Sequence, residues 1–188
     1  MYIKQRGVAL IEVLVTSVII AIGLSGTAAL LLKSVQSTND SAQRSIGLWV
    51  VQDYMGRIRA NPEGAHEFGY EIADTATDCS ILPSQICADI YKDGSKVNAT
   101  ACNAIQMATF DTWISVCGIA SNVIDNASEM LKDPKLGAKC VYEQDRDADG
   151  NPECLKYEVI MKWRAQVELS NGSTMTRDME YGQVVEIN

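Results

Sequence analysis

The feature that most constrains this chain is an unbroken apolar run near its N-terminus. From Val8 to Leu32 the only ionisable side chain is that of Glu12. At about 1.5 Å per helical residue the run reaches roughly 37 Å, enough to cross a bilayer with some tilt. Lys4 and Arg6 precede it, and the positive-inside rule keeps such a basic end in the cytoplasm. The sequence therefore predicts a membrane helix, with the rest of the chain on the far side.

Glu12 requires an explanation, because a carboxylate inside a membrane helix costs a few kcal/mol unless it has a partner. No cation lies one helical turn away, since positions 8, 9, 15 and 16 are Val, Ala, Val and Thr. Cleavage after Gly7 would create an α-amino group on Val8, and a neighbouring copy could supply that cation at the right depth. We therefore interpret Glu12 as a residue for assembly between subunits.

Residues 4–12, Lys-Gln-Arg-Gly-Val-Ala-Leu-Ile-Glu, resemble the processing and assembly signal of type IV pilins and related pseudopilins. The resemblance implies cleavage after Gly7 by a prepilin peptidase and N-methylation of Val8, where the family commonly has Phe. It also implies that Glu12 docks each subunit among other major and minor pilins on an inner-membrane assembly platform. The expected location is the inner membrane, with a periplasmic head, and later a cell-surface pilus.

Three other interpretations of the apolar run are available. A secretory signal peptide also has basic residues before an apolar core, and Gly26-Thr27-Ala28 fits its cleavage site. Against it, the run is long and carries a carboxylate near its start. A plain membrane anchor leaves Gly7 and Glu12 unexplained, and the third alternative is a buried helix of a cytosolic protein.

Charge divides unevenly along the chain. Residues 1–60 hold six Lys or Arg and three Asp or Glu, whereas residues 61–188 hold ten and twenty-one. Such an acidic head is a poor match for a phosphate backbone, so direct nucleic-acid binding is disfavoured. Its length is sufficient for one domain with a modest core.

Six cysteines lie in this acidic part of the chain. An even number in an oxidising compartment predicts disulfides, and six cysteines allow fifteen pairings. Cys140 with Cys154 is the best single pair, because the segment between them resembles a hairpin loop. Zinc is disfavoured, since no two cysteines have the spacing of zinc ligands and His66 is the only histidine. The cysteines are Cys79, Cys87, Cys102, Cys117, Cys140 and Cys154.

The helical pattern continues beyond the membrane segment. There is no proline from Lys33 to Ala60, and Val51, Tyr54, Met55 and Ile58 share one helical face. Asn61-Pro62 ends the helix, because the residue before a proline avoids helical geometry. The predicted parts are a removed leader (1–7), a transmembrane assembly helix (8–32), its amphipathic continuation (33–61) and a periplasmic globular head (62–188).

Within the head, residues 63–100 are predicted to form a disulfide-stapled loop, and residues 101–117 a short helix whose apolar side, including Ile105, faces inward. Further helical turns are predicted at 124–131. Residues 155–164 alternate between apolar and mostly charged side chains, the pattern of a half-buried strand. Asn171-Gly172 predicts a hairpin to a strand at 175–181. The predicted class is α+β: a long helix packed on a small antiparallel sheet, as in the type IV pilin fold.

A run of alternating carboxylates around Gly150 suggests calcium, because oxygen ligands converge where the chain turns at a glycine. An EF-hand loop would carry Glu where this chain has Lys156, so Glu153 would have to substitute. The alternative is a solvated acidic hairpin tip. The candidate ligands are Asp145, Asp147, Asp149 and Glu153.

Three further segments resemble PilV-type minor pilins: Ala-Ile-Gly-Leu at 21–24, the helix end at 57–62, Arg-Ile-Arg-Ala-Asn-Pro, and Asp111-Thr112-Trp113. The resemblance implies a subunit that primes or joins pilus assembly, in pili that serve twitching motility, adhesion and DNA uptake. The alternatives are a minor pseudopilin of a type II secretion system and an adhesin displayed on a filament. No Gly-x-Ser-x-Gly, P-loop or dinucleotide motif is present, so an enzyme is not expected.

Overall fold

A computed structural model of the chain describes residues 10–92, 94–118, 130–145, 150–168 and 174–187. The chain divides into two compact units, Met1–Asp40 and Ser41–Asn188. The helices are α1 (Leu10–Ala60), α2 (Pro62–His66) and α3 (Ala104–Cys117). The strands are β1 (Ile72–Ala76), β2 (Ile90–Lys92), β3 (Ser95–Val97), β4 (Lys132–Gln144), β5 (Glu153–Glu168) and β6 (Thr174–Glu186).

The described part of the first unit is helix throughout. It belongs to α1, which is 51 residues long and ends at the residue before Asn61, as the sequence predicts. Over the described residues, α1 is the one helix long and apolar enough to cross a membrane, with a mean hydropathy of 2.2 in its most apolar window. None of that window is buried among the residues that the structure describes.

The second unit is built on an antiparallel sheet with the strand order β1-β4-β5-β6, beside a separate two-stranded β2-β3 ribbon. The predicted packing of this sheet on the C-terminal part of α1 is confirmed. Val51, Tyr54 and Ile58 are fully buried in one cluster with Tyr157 and Val159 of β5. The register places Tyr157 opposite Cys140 on β4 and opposite Val185 on β6.

The alternation predicted for β5 is also confirmed, and one of its buried residues sets the distance to the helix. Met161 and Trp163 are buried, whereas Arg164 is exposed. A Cβ atom at Gly47 would lie 2.7 Å from Cζ3 of Trp163. Since carbon atoms do not approach that closely without displacement, Gly47 allows α1 to rest directly on the indole ring.

The predicted stapled loop at 63–100 is wrong in part, because it contains α2 and the strands β1, β2 and β3. Pro62 occupies the first turn of α2, where its missing N–H is no loss, and the Asn61 side chain accepts a hydrogen bond from the Gly64 N–H. Ile105 does not face inward as predicted; it is 37% exposed.

Strand β4 is not predicted from the sequence, because Asp133-Pro134 suggests a break. The strand contains Pro134 at an irregularity of its register, between Lys132 and Lys135. Proline is tolerated there, because a bulged residue has no ladder hydrogen bond to donate. Most of the predicted helical segment at 124–131, and the Asn171-Gly172 turn, lie outside the described residues.

Three disulfides connect the elements of the second unit, as the even cysteine count predicts. Cys140 pairs with Cys154, the pair chosen from the sequence, and joins β4 to β5. Cys79 pairs with Cys117 at the end of α3, and Cys87 with Cys102. A second apolar cluster, centred on Ile90 and Phe110, lies beside the Cys87–Cys102 bond.

Candidate functional site

The first candidate site is the apolar surface of α1 before Lys33. Among the described residues, each of its large aliphatic side chains is more than half exposed. They are Leu10, Ile11, Val13, Leu14, Val15, Val18, Ile19, Ile20, Ile22, Leu24, Leu30, Leu31 and Leu32. Since a soluble monomer rarely exposes so large an apolar surface, this one is suited to lipid or to other apolar helices.

Polar side chains in this segment bond to their own helix. The hydroxyl of Thr16 donates to the Val13 carbonyl at 3.0 Å, and that of Ser25 donates to the Ala21 carbonyl at 2.7 Å. Ser17 and Thr27 donate in the same way at 2.8 and 2.9 Å. Because each donor is already satisfied, these residues add little cost to an apolar environment.

Glu12 lies exposed in the first described turn of α1. Among residues 10–32 it is the only ionisable side chain, and it has no ion-pair partner within the part of the chain that the structure describes. Its role in assembly between subunits stays a prediction. Gly7 and Val8 lie outside the described residues.

The second candidate site is a buried polar network in the second unit, where the end of α1 meets Asp111 and Thr112 of α3. Arg57 of α1 donates from Nη1 to Asp111 Oδ1 at 3.1 Å and from Nε to Asp53 Oδ2 at 2.7 Å. The Tyr70 hydroxyl donates to the other Asp111 oxygen at 2.6 Å. Asp111 is only 6% exposed, so these donors supply the compensation that a buried carboxylate needs.

The same network fixes the end of α1 against α3. The Asn61 amide donates to the Ala104 carbonyl at 2.8 Å and to the Tyr70 hydroxyl oxygen at 3.1 Å. Tyr54 and Thr112 share a hydrogen bond of 2.9 Å between their hydroxyl oxygens. The bonds from Tyr54, Arg57 and Asn61 thus hold the end of α1 to α3, and we interpret the network as a structural joint.

Two tyrosines of this network have a raised pKa and therefore stay protonated at alkaline pH. Burial raises the pKa of Tyr54 above its usual value. Burial also raises the pKa of Tyr70, and its hydrogen bond to Asp111 adds to the effect. Both hydroxyls therefore stay available as donors. Tyr70 had no sequence signal, because it lies in a polar stretch without periodicity.

The chain matches the family model of type IV pilin Tt1218 over residues 29–113 and the prokaryotic N-terminal methylation motif over residues 3–28. It therefore carries a type IV pilin Tt1218-like domain and an N-terminal methylation motif, and both support a place in the type IV pilin superfamily. No match was found among curated proteins or among solved structures. The first match includes Arg57, Tyr70 and Asp111, and the second includes Gly7 and Glu12.

The candidate calcium ligands of the chain lie only partly within the described residues. Asp145 accepts a hydrogen bond from the Gly150 N–H at 3.0 Å, and the Glu153 carboxylate lies 3.7 Å from His66 Nδ1. Asp147 and Asp149 lie outside the described residues. Within the described ranges, no group of three or more His, Cys, Asp or Glu side chains is placed to hold a metal. The calcium site stays a prediction.

Proposed function

We propose that this chain is a minor pilin of the PilV type, a structural subunit that primes or joins assembly of a type IV pilus. The observation that carries the proposal is the exposed apolar surface of α1, on which Glu12 is the one ionisable side chain among residues 10–32. Such a surface requires lipid before assembly and other apolar helices after it. Residues 1–7 are the leader, 8–32 the transmembrane assembly helix, 33–61 its continuation and 62–188 the periplasmic head.

Processing creates the charge that Glu12 needs. A prepilin peptidase cuts after Gly7, and the new amine on Val8 is then N-methylated, which leaves it cationic. In the pilus, the amine of one subunit neutralises Glu12 of its neighbour. Leaving the lipid is tolerable only because the bundle is equally apolar and because this pair removes an isolated charge.

The head suits this role without carrying chemistry of its own. Three disulfides agree with a periplasmic and then cell-surface location, where thiols are oxidised. The network of Arg57, Asp111 and Tyr70 keeps the head fixed to the helix segment that belongs to its own unit. The partners are other major and minor pilins, the prepilin peptidase and the inner-membrane assembly platform.

The first test is the intact mass of the non-reduced protein, extracted from membranes of cells with native processing machinery. We expect the mass of residues 8–188 with one added methyl group and three disulfides. A chain that begins near Leu30 would identify a secreted protein and overturn the proposal.

The second test separates processing from assembly. Glu12→Gln should be cleaved normally yet be absent from sheared pili probed with an antibody to the head. Glu63→Gln, which neutralises an exposed carboxylate of the head, is the matched control and should enter pili as the wild type does. Normal piliation with lost enzyme secretion in a deletion strain would instead favour a type II secretion pseudopilin.

A further inference from the structure

The two edges of the main sheet differ in how well their backbone groups are covered. On one side, β1 covers β4 with only five residues, and its register shifts between Ile72 and Thr75. Beyond it, a Glu71 carboxylate oxygen accepts the Cys140 N–H of β4 at 3.0 Å and closes that edge further. On the other side, β6 runs for thirteen residues and, within the described ranges, pairs with β5 alone. Its outer backbone groups are therefore free to pair with another strand.

A groove runs beside this open edge, between β6 and α1. Its cavity measures about 510 Å³, and its apolar lining comes from Leu48, Trp163, Met179 and Tyr181. Trp163 is 97% buried, and the ring edge that bears Cζ3 and Cη2 contacts Gly47. Its Nε1 lies on the opposite edge of the ring and has no hydrogen-bond partner among the described residues.

Two arginines that line this groove are not paired with carboxylates in the described part of the chain. Arg177 lies on the same face of β6 as Met179, which packs on the core. Arg44 of α1 lines the opposite side of the groove. Neither guanidinium has a carboxylate partner in the described part of the chain. Asp178 and Glu180 also border the cavity, but they alternate to the opposite face, where their cross-strand neighbours are Arg164 and Lys162.

We propose that β6 is a docking edge for an extended acidic segment of a partner protein. The segment adds to the sheet as a fifth strand, and its carboxylates lie against Arg44 and Arg177. Backbone hydrogen bonds then provide affinity for an extended chain, and the two guanidiniums select an acidic one. The proposal is independent of the assembly role of α1, so either result leaves that role untouched.

The test measures binding of defined peptides to the full chain in detergent micelles by fluorescence anisotropy. The probe is a labelled nine-residue peptide of alternating Val and Glu. We expect saturable binding, and at least about tenfold weaker binding of a Val–Lys peptide. The same acidic peptide with alternate backbone nitrogens methylated along one edge should bind as weakly, because it cannot form the ladder. Equal binding of the methylated peptide would overturn the proposal.

Variants of the chain locate the site. Arg44→Gln with Arg177→Gln should weaken binding of the acidic peptide about fivefold, in line with two partly exposed ion pairs. Arg59→Gln with Lys139→Gln removes the same charge from exposed positions elsewhere and should change binding less than twofold. Equal losses in both variants would contradict the proposal. A dimer of the full chain that only the first variant dissociates would assign the edge to a second copy and also overturn it.

Discussion

The two parts of α1 differ in what surrounds their apolar side chains. Before Lys33, the large aliphatic side chains are mostly exposed, and the polar ones bond back to their own helix. After Ser41, one face is buried under the sheet, with Val51 and Ile58 fully covered. The second part is therefore stabilised within the chain, whereas the first gains its stabilisation only from lipid or from other helices.

This difference teaches that equal substitutions in one helix need not have equal consequences. A change in the second part alters the folding of the head. A change in the first part leaves the head intact and alters what the helix can join. Unfolding measurements and assembly measurements should therefore separate the two parts cleanly.

The largest effect should come from the same truncation made once in each part. Ile58→Ala removes a fully buried side chain and should lower the free energy of unfolding of the head by about 4 kcal/mol. Ile20→Ala, at a position 60% exposed, should change it by less than about 0.5 kcal/mol. Denaturant titration of the full chain in micelles, followed by tryptophan fluorescence, measures both. Comparable losses at the two sites would break the comparison.

Alkaline pH should act on the head next. Burial raises the pKa of Tyr54, Tyr70 and Tyr157 above the usual value near 10. Since the folded pKa is raised, their contribution is complete below pH 10 and is lost as the pH rises above it. The loss is roughly 1.4 kcal/mol for each tyrosine per pH unit above 10. No tyrosine lies in the described residues before Ser41, so helicity there should persist.

The measurement is far-UV circular dichroism beside near-UV tyrosine absorbance, from pH 9 to 11.5. Ionisation of Tyr54, Tyr70 and Tyr157 should coincide with loss of the sheet signal, because these buried hydroxyls titrate only on unfolding. Ionisation of all the tyrosines near pH 10 in a head that stays folded would contradict the burial that the structure assigns to them.

Sequence patterns predict what depends on local periodicity. The long helix, its end at Asn61-Pro62 and the alternation of β5 all follow from spacing along the chain, and the structure confirms them. Strand β4 does not, since Pro134 is acceptable only because of a bulge that pairing with β5 creates. Pairing partners are long-range properties, which explains why one disulfide could be chosen and the other two could not.

The candidate sites divide in the same way. Glu12 is visible in the sequence because its surroundings are uniformly apolar for a full membrane thickness. The sequence also singles out Arg57 and Asp111, because their segments resemble those of PilV-type minor pilins, but it does not show that the two residues are partners. Their network also needs Tyr70, whose contact with Asp111 joins residues 41 positions apart. No local pattern contains such a contact.

The smallest effect tests this joint itself. Tyr70→Phe keeps the ring but removes the donor that lies 2.6 Å from Asp111, so a buried carboxylate loses one of its partners. We expect the head to lose about 2 kcal/mol, because an unsatisfied buried acceptor costs more than a made hydrogen bond gains. Tyr142→Phe removes a half-exposed hydroxyl that lies 3.5 Å from Gln144 and should cost less than about 0.5 kcal/mol. Thermal unfolding of both variants measures these two losses of stability. Processing after Gly7 should be unchanged in each variant. If the two variants lose equal stability, Asp111 does not depend on Tyr70, and Arg57 is sufficient as its partner.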